Sequence, residues 1–184
     1  MSEPNYEVLW NEAFTWADYL GSEIREHKDL WDAVATRAEV PTWATEAAAA
    51  LGSRRKLMVI SEDWCGDASN TVPVIARFAE VAPSVDVRVV KRDEHPELMD
   101  LYLTHGARSI PLVVVLDEGF RPIGRWGPRP TELQEMVLRE KKVGERPMDE
   151  IYRDVRRWYA RDRGESTLRE LLSVMGTGAR AGEG

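Results

Sequence analysis

Cysteine is almost missing from this chain: Cys65 is the only one in 184 residues. A single thiol excludes an intramolecular disulfide and excludes a zinc site built from several cysteines. Histidine is scarce as well, limited to His27, His95 and His105. A metal centre pairing Cys65 with His105 finds no third ligand in the sequence, so neither metal nor cofactor is expected. No run approaches the roughly 20 apolar residues that a membrane helix needs. The acidic stretch 1–12 also lacks the apolar core of a signal peptide. A cytoplasmic protein without a membrane partner is the expectation. Positive charge is in deficit, with 25 Lys and Arg against 32 Asp and Glu and a net charge of -7. Nucleic-acid binders present the opposite field, because they neutralise phosphates, so no nucleic-acid partner is expected. The densest basic run, Ser53-Arg54-Arg55-Lys56, reads as a solvated loop before a strand.

What is present describes a decorated single domain. Hydrophobic residues make up 43%, enough for a sizeable core at this length. Leu9, Ala13, Trp16 and Leu20 fall at helical spacing, with Gly21 as a stop, and Leu30, Trp31 and Val34 mark a second helix. Thr42 reads as the N-cap of an Ala-rich helix that ends at Gly52. Leu57-Met58-Val59-Ile60 is a continuous apolar run, as in a strand buried on both faces. Val72, Ile75, Ala76 and Ala79 form one helical stripe. Val85, Val87 and Val89 alternate with polar residues, the period of a strand. A short helix is expected between His95 and His105. Pro111 precedes a second buried run, Leu112 to Leu116, and Asp117-Glu118-Gly119 is a hairpin turn leading back through Phe120 to Trp126.

Thr131 and Gln134 have capping-box spacing at the start of a helix ended by Gly144. Met148, Ile151, Tyr152, Val155, Trp158 and Tyr159 then mark an amphipathic helix. A last helix, capped by Ser166, carries Leu168, Leu171, Leu172 and Met175. Four units follow from this order: a helical extension over 1–52, a core over 53–143, two C-terminal helices over 144–175 packed on it, and a disordered tail over 176–184. Strands separated by helices imply parallel pairing, while the final hairpin is antiparallel. The fold class is α/β, a mixed four-stranded sheet with helices on both faces and extra helices at both termini.

Cys65 stands between the first buried strand and the first core helix. Free backbone N–H groups and the helix dipole favour a thiolate there. Glu62, Asp63 and Asp67 oppose it wherever their charges face the sulfur. Asp67 has two readings: satisfying the helix N-terminus, or tuning the thiol and protonating a leaving group. His27 reads as a surface residue.

Asp63-Trp64-Cys65-Gly66-Asp67-Ala68 resembles an active-site loop of the thioredoxin superfamily, of the WCGD type found in small thioredoxin-like proteins. Ser109-Ile110-Pro111-Leu112 before a buried strand agrees with it, as does the stretch Gly124-Arg125-Trp126-Gly127-Pro128-Arg129-Pro130. The resemblance spans roughly residues 50–142. It implies a cis proline at Pro111 beside the reactive thiol, and a substrate backbone paired along the peptide before it. It implies Cys65 as nucleophile, with Trp64, Gly66, Asp67, Ile110 and Pro111 lining the substrate site. The departure is Ala68, which stands where the two-cysteine loop carries its resolving thiol. The resemblance therefore leaves two readings. One is a monothiol thiol–disulfide oxidoreductase, acting on a disulfide-bearing protein or a low-molecular-weight thiol adduct, with an external thiol as resolver. The other is a redox-inactive thioredoxin-like module that binds a protein or peptide. In either case the terminal helices could pair two chains into a homodimer.

Overall fold

The computed structural model describes residues 4–180. Four strands form one sheet: β1 (Arg55–Ser61), β2 (Val85–Lys91), β3 (Leu112–Leu116) and β4 (Pro122–Trp126), in the order β2-β1-β3-β4. Leu57 to Ile60 and Leu112 to Leu116 are each fully buried, as continuous apolar runs require. The basic run does not stay in the preceding loop. β1 starts at Arg55, whose side chain is buried and donates from Nε to the Met175 carbonyl.

β1 and β2 are parallel, with Val59 opposite Val89. β3 departs from the expected parallel pairing: it runs antiparallel to β1, Met58 opposite Val114, and β4 is antiparallel to β3. The reason lies in the connections. Helix α5 (Gly66–Val81) has 16 residues, about 24 Å at 1.5 Å per residue. That matches a seven-residue strand of about 23 Å, so α5 returns the chain to the end where β1 began. Between β2 and β3 the only α-helix, α6 (Pro96–Asp100), has five residues and spans about 8 Å. The chain therefore enters β3 at the end where β1 and β2 finish, with Leu112 opposite Ile60.

The N-terminal segment is more broken than its period suggests. Helix α1 (Tyr6–Glu12) is followed by a short α2 (Trp16–Asp18) and a π-helical turn through Gly21. Between α1 and α2, Phe14 exchanges both backbone hydrogen bonds with Val89, at 2.9 Å each. This covers the outer edge of β2, which would otherwise present unpaired N–H and C=O groups. Helices α3 (Lys28–Arg37) and α4 (Thr42–Ala49) follow. Pro41, not Thr42, occupies the N-cap of α4.

Beyond the sheet come α7 (Thr131–Val143), α8 (Met148–Asp162) and α9 (Glu165–Arg180). The expected capping box at Thr131 is not formed. Pro130 is the N-cap, and the Thr131 N–H donates to Glu170 Oε1 of α9. Likewise Ser166 lies inside α9, its N–H donating to Asp162. α9 continues through Gly176 to Arg180, where composition suggested a disordered tail; residues 181–184 of that tail lie outside the described ones. α9 packs on β4 so tightly that a Cβ on Gly124 would stand 2.5 Å from Val174 Cγ1. α7 and α8 form a second, smaller core from Leu133, Val137, Val155, Trp158 and Tyr159. No helix among the described residues is long and apolar enough to cross a membrane.

Candidate functional site

Cys65 is itself the N-cap of α5. Its backbone is extended (φ -84°, ψ 114°), and Sγ accepts from the Ala68 N–H at 3.4 Å. On its other side the thiol donates to the Ile110 carbonyl at 3.4 Å, and the Ile110–Pro111 peptide is cis. Residues 45 positions apart thus meet where α5 begins and β3 starts. The residue is only 8% exposed, and it lines a cavity of about 760 Å³. Trp64, Gly66, Asp67 and Ile110 line that cavity with it, whereas Pro111, expected in the same set, is not among its lining residues.

A second cis peptide, Gly127–Pro128, supports this corner. Gly127 has φ +119°, and a Cβ there would lie 2.3 Å from the Pro111 carbonyl oxygen. Only glycine lets the end of β4 approach the Pro111 backbone this closely.

Two of the acidic residues of the loop, Glu62 and Asp63, spend their charge on backbone N–H groups away from the thiol. Asp63 accepts the backbone N–H groups of Arg25 and Glu26 at 3.0 and 2.9 Å. Its carbonyl takes the indole N–H of Trp31 at 2.9 Å. Glu62 accepts the Asp93 N–H at 2.8 Å. Asp67 does not cap the helix. Its carboxylate binds the Arg129 guanidinium through Nε at 2.9 Å and Nη2 at 2.6 Å, and accepts the Tyr159 hydroxyl at 2.8 Å. Arg129 also donates to Gln134 at 2.8 Å.

Burial pushes the Cys65 thiol above its ordinary value. The Ala68 N–H pulls it down, the Asp67 carboxylate raises it further, and Arg129 lowers it. The stabilisation expected from the helix N-terminus is present as the Ala68 contact, but desolvation outweighs it. Burial also drives the Tyr159 hydroxyl well up, with Asp67 adding to the rise, so Tyr159 keeps its proton and stands as a hydrogen-bond donor to Asp67.

Arg129 and Tyr159 were not singled out as site residues from sequence. Arg129 was visible only within the Gly124 to Pro130 stretch, and Tyr159 only as an inward position of an amphipathic helix. His27, read as a surface residue, is exposed and also lines the cavity. So does Arg108, while His105 does not. Trp64 is 40% exposed, with the Arg92 guanidinium 4.8 Å from its ring centre. No group of three or more His, Cys, Asp or Glu able to hold a metal occurs among the described residues.

Comparison with solved structures agrees with this architecture. A protein of unknown function from Pseudomonas aeruginosa superposes with a TM-score of 0.72 at 18% identity, covering 94% of this chain and 98% of the other. An HIV epitope scaffold superposes with a TM-score of 0.71 at 19% identity, over the same shares. Such identities establish the fold alone. No curated protein matches the chain. The thioredoxin family profile matches residues 13–146, a span that takes in the Cys65 loop, the cis Pro111 and all four strands: the chain belongs to the thioredoxin family.

Proposed function

We propose that this protein is a monothiol thiol–disulfide exchange catalyst acting through Cys65. The observation that carries the reading is the position of Cys65: at the N-cap of α5, its sulfur 3.4 Å from both the Ala68 N–H and the carbonyl of Ile110 before the cis Pro111, with the residue lining an open cavity. The Cys65 thiolate attacks one sulfur of a disulfide R–S–S–R′. A Cys65–S–S–R bond forms, the S–S bond of the substrate breaks, and R′S⁻ leaves to take up a proton from water. Ala68 supplies no second thiol and no other cysteine exists in the chain. An external low-molecular-weight thiol therefore attacks the mixed disulfide, restoring Cys65 and carrying R away as a new disulfide. Trp64, Gly66 and Asp67 flank the substrate, and the Ile110–Pro111 segment docks its backbone. The cytoplasm, where small thiols are abundant, is the compartment this cycle suits.

A second reading draws on the raised thiol pKa and low exposure of Cys65: a redox-inactive module that holds a peptide or protein in the same cavity. Replacing the sulfur separates them. Under the catalytic reading, Cys65→Ser abolishes turnover of a mixed disulfide in the presence of a small thiol. Under the binding reading, wild type shows no such turnover and Cys65→Ser retains its partner.

A further inference from the structure

The chain carries a net charge of -7, yet the cavity around Cys65 is lined by five cations and one carboxylate. The cations are Arg92, Arg108, Arg129, Lys141 and Arg156, and the carboxylate is Asp67. Three of them are engaged. Arg129 is neutralised by Asp67, Arg108 is held bidentate by Asp100, and Arg92 is paired with Asp93. Lys141, in the last turn of α7, and Arg156, midway along α8, make no ion pair among the described residues. Both are exposed and both line the cavity. Their positive charge in the cavity wall is therefore uncancelled by any ion-pair partner among the described residues. A concave site lined by one sign of charge concentrates ligands of the other sign.

We infer that the Cys65 cavity selects anionic substrates: small disulfides whose sulfur-bearing halves carry carboxylates, oriented by Lys141 and Arg156 with the sulfur toward Cys65. This rests on the exchange activity proposed above and names its substrate class. The chemistry is the exchange already written, with R a carboxylate-bearing thiol. The two cations form no bond and move no proton. They place charge opposite charge as the disulfide enters.

The test uses the full chain and three alkyl disulfides of similar intrinsic reactivity: 3,3′-dithiodipropionate (anionic), bis(2-hydroxyethyl) disulfide (neutral) and cystamine (cationic). The rate of Cys65 mixed-disulfide formation is followed by mass spectrometry at low salt. Each rate is divided by that of free 2-mercaptoethanol with the same disulfide. The normalised rate is expected to be about five- to tenfold higher for the anion than for the cation, consistent with one or two unpaired charges at partly solvated distance. The preference should shrink toward unity in molar salt. The double variant Lys141→Glu, Arg156→Glu should invert the anion-to-cation ratio. Equal normalised rates for all three, or a preference untouched by the double variant, overturns the charge selection and leaves the exchange activity standing. No reaction with any of them, while the unfolded chain reacts, overturns both.

Discussion

A thiol at a helix N-terminus gains about one pKa unit or less toward its anion. At Cys65 that help is visible as the Ala68 contact, and it is overcome by burial and by the Asp67 carboxylate. The pH profile of alkylation should therefore have its midpoint above the free-cysteine value of about 8.5, and a midpoint at or below that value would contradict the balance described. The same shift has a sign in stability. The folded state holds the thiol proton more tightly than the unfolded chain does. Stability should therefore decline as pH rises past about 8.5, where the unfolded thiol ionises first, and Cys65→Ser should flatten the onset of that decline. Asp67→Asn removes the carboxylate and releases the Arg129 charge. It should lower the alkylation midpoint, because the carboxylate that raises the thiol is gone and the Arg129 charge remains. It should also cost about 3–5 kcal/mol in denaturant unfolding, because Arg129, 12% exposed, loses its ionic partner. A lowered midpoint without loss of stability would mean that the ion pair contributes nothing to the fold.

The strands were legible as elements because burial on both faces leaves continuous apolar runs, and Leu57–Ile60 and Leu112–Leu116 are such runs. Their directions were less so. The antiparallel β1–β3 pairing follows from the shortness of α6, which stops at Asp100 well before the positive-φ turn at His105 and Gly106. Caps at Thr42 and Thr131 were misplaced because Pro41 and Pro130 take those positions with extended ψ near 145° and 143°. The Cys65 loop and Pro111 were readable because they are local motifs. The Arg129–Asp67–Tyr159 set was not, since its members lie 62 and 92 residues apart and ion pairing leaves no periodic trace. Two variants probe these junctions. Gly127→Ala places a methyl 2.3 Å from the Pro111 carbonyl at φ +119°. It should cost about 2–4 kcal/mol in denaturant unfolding and displace the Pro111 segment. A neutral Gly127→Ala would mean that β4 moves away from Pro111 freely. Ala68→Cys puts a thiol at the residue whose N–H already meets the Cys65 sulfur. Under mild oxidant the pair should close, read as loss of two hydrogens by mass spectrometry. An open pair would mean that the first turn of α5 does not suit disulfide geometry.

At the scale of the whole molecule, the N-terminal extension is wired into the reactive loop. Phe14 seals the edge of β2, and Trp31, fully buried, reaches from α3 to the Asp63 carbonyl. The Asp63 side chain returns the contact through Arg25 and Glu26, and His27 and Leu30 continue as one wall of the cavity. The loop carrying Cys65 is thus held between α5 on one side and the extension on the other. Its position depends on residues more than 30 places earlier in the chain. Trp31→Phe keeps most of the buried ring but leaves the Asp63 carbonyl without its indole donor. The cost should be about 1–3 kcal/mol, the usual penalty for an unpaired buried polar group. The loop should also open more often. Alkylation of Cys65 under native conditions should accelerate, and amide exchange at Trp64 and Cys65 should rise, while exchange in β3 follows only the change in global stability. If alkylation of Trp31→Phe stays at the wild-type rate although the chain is destabilised, α3 supports the core without controlling access to the thiol.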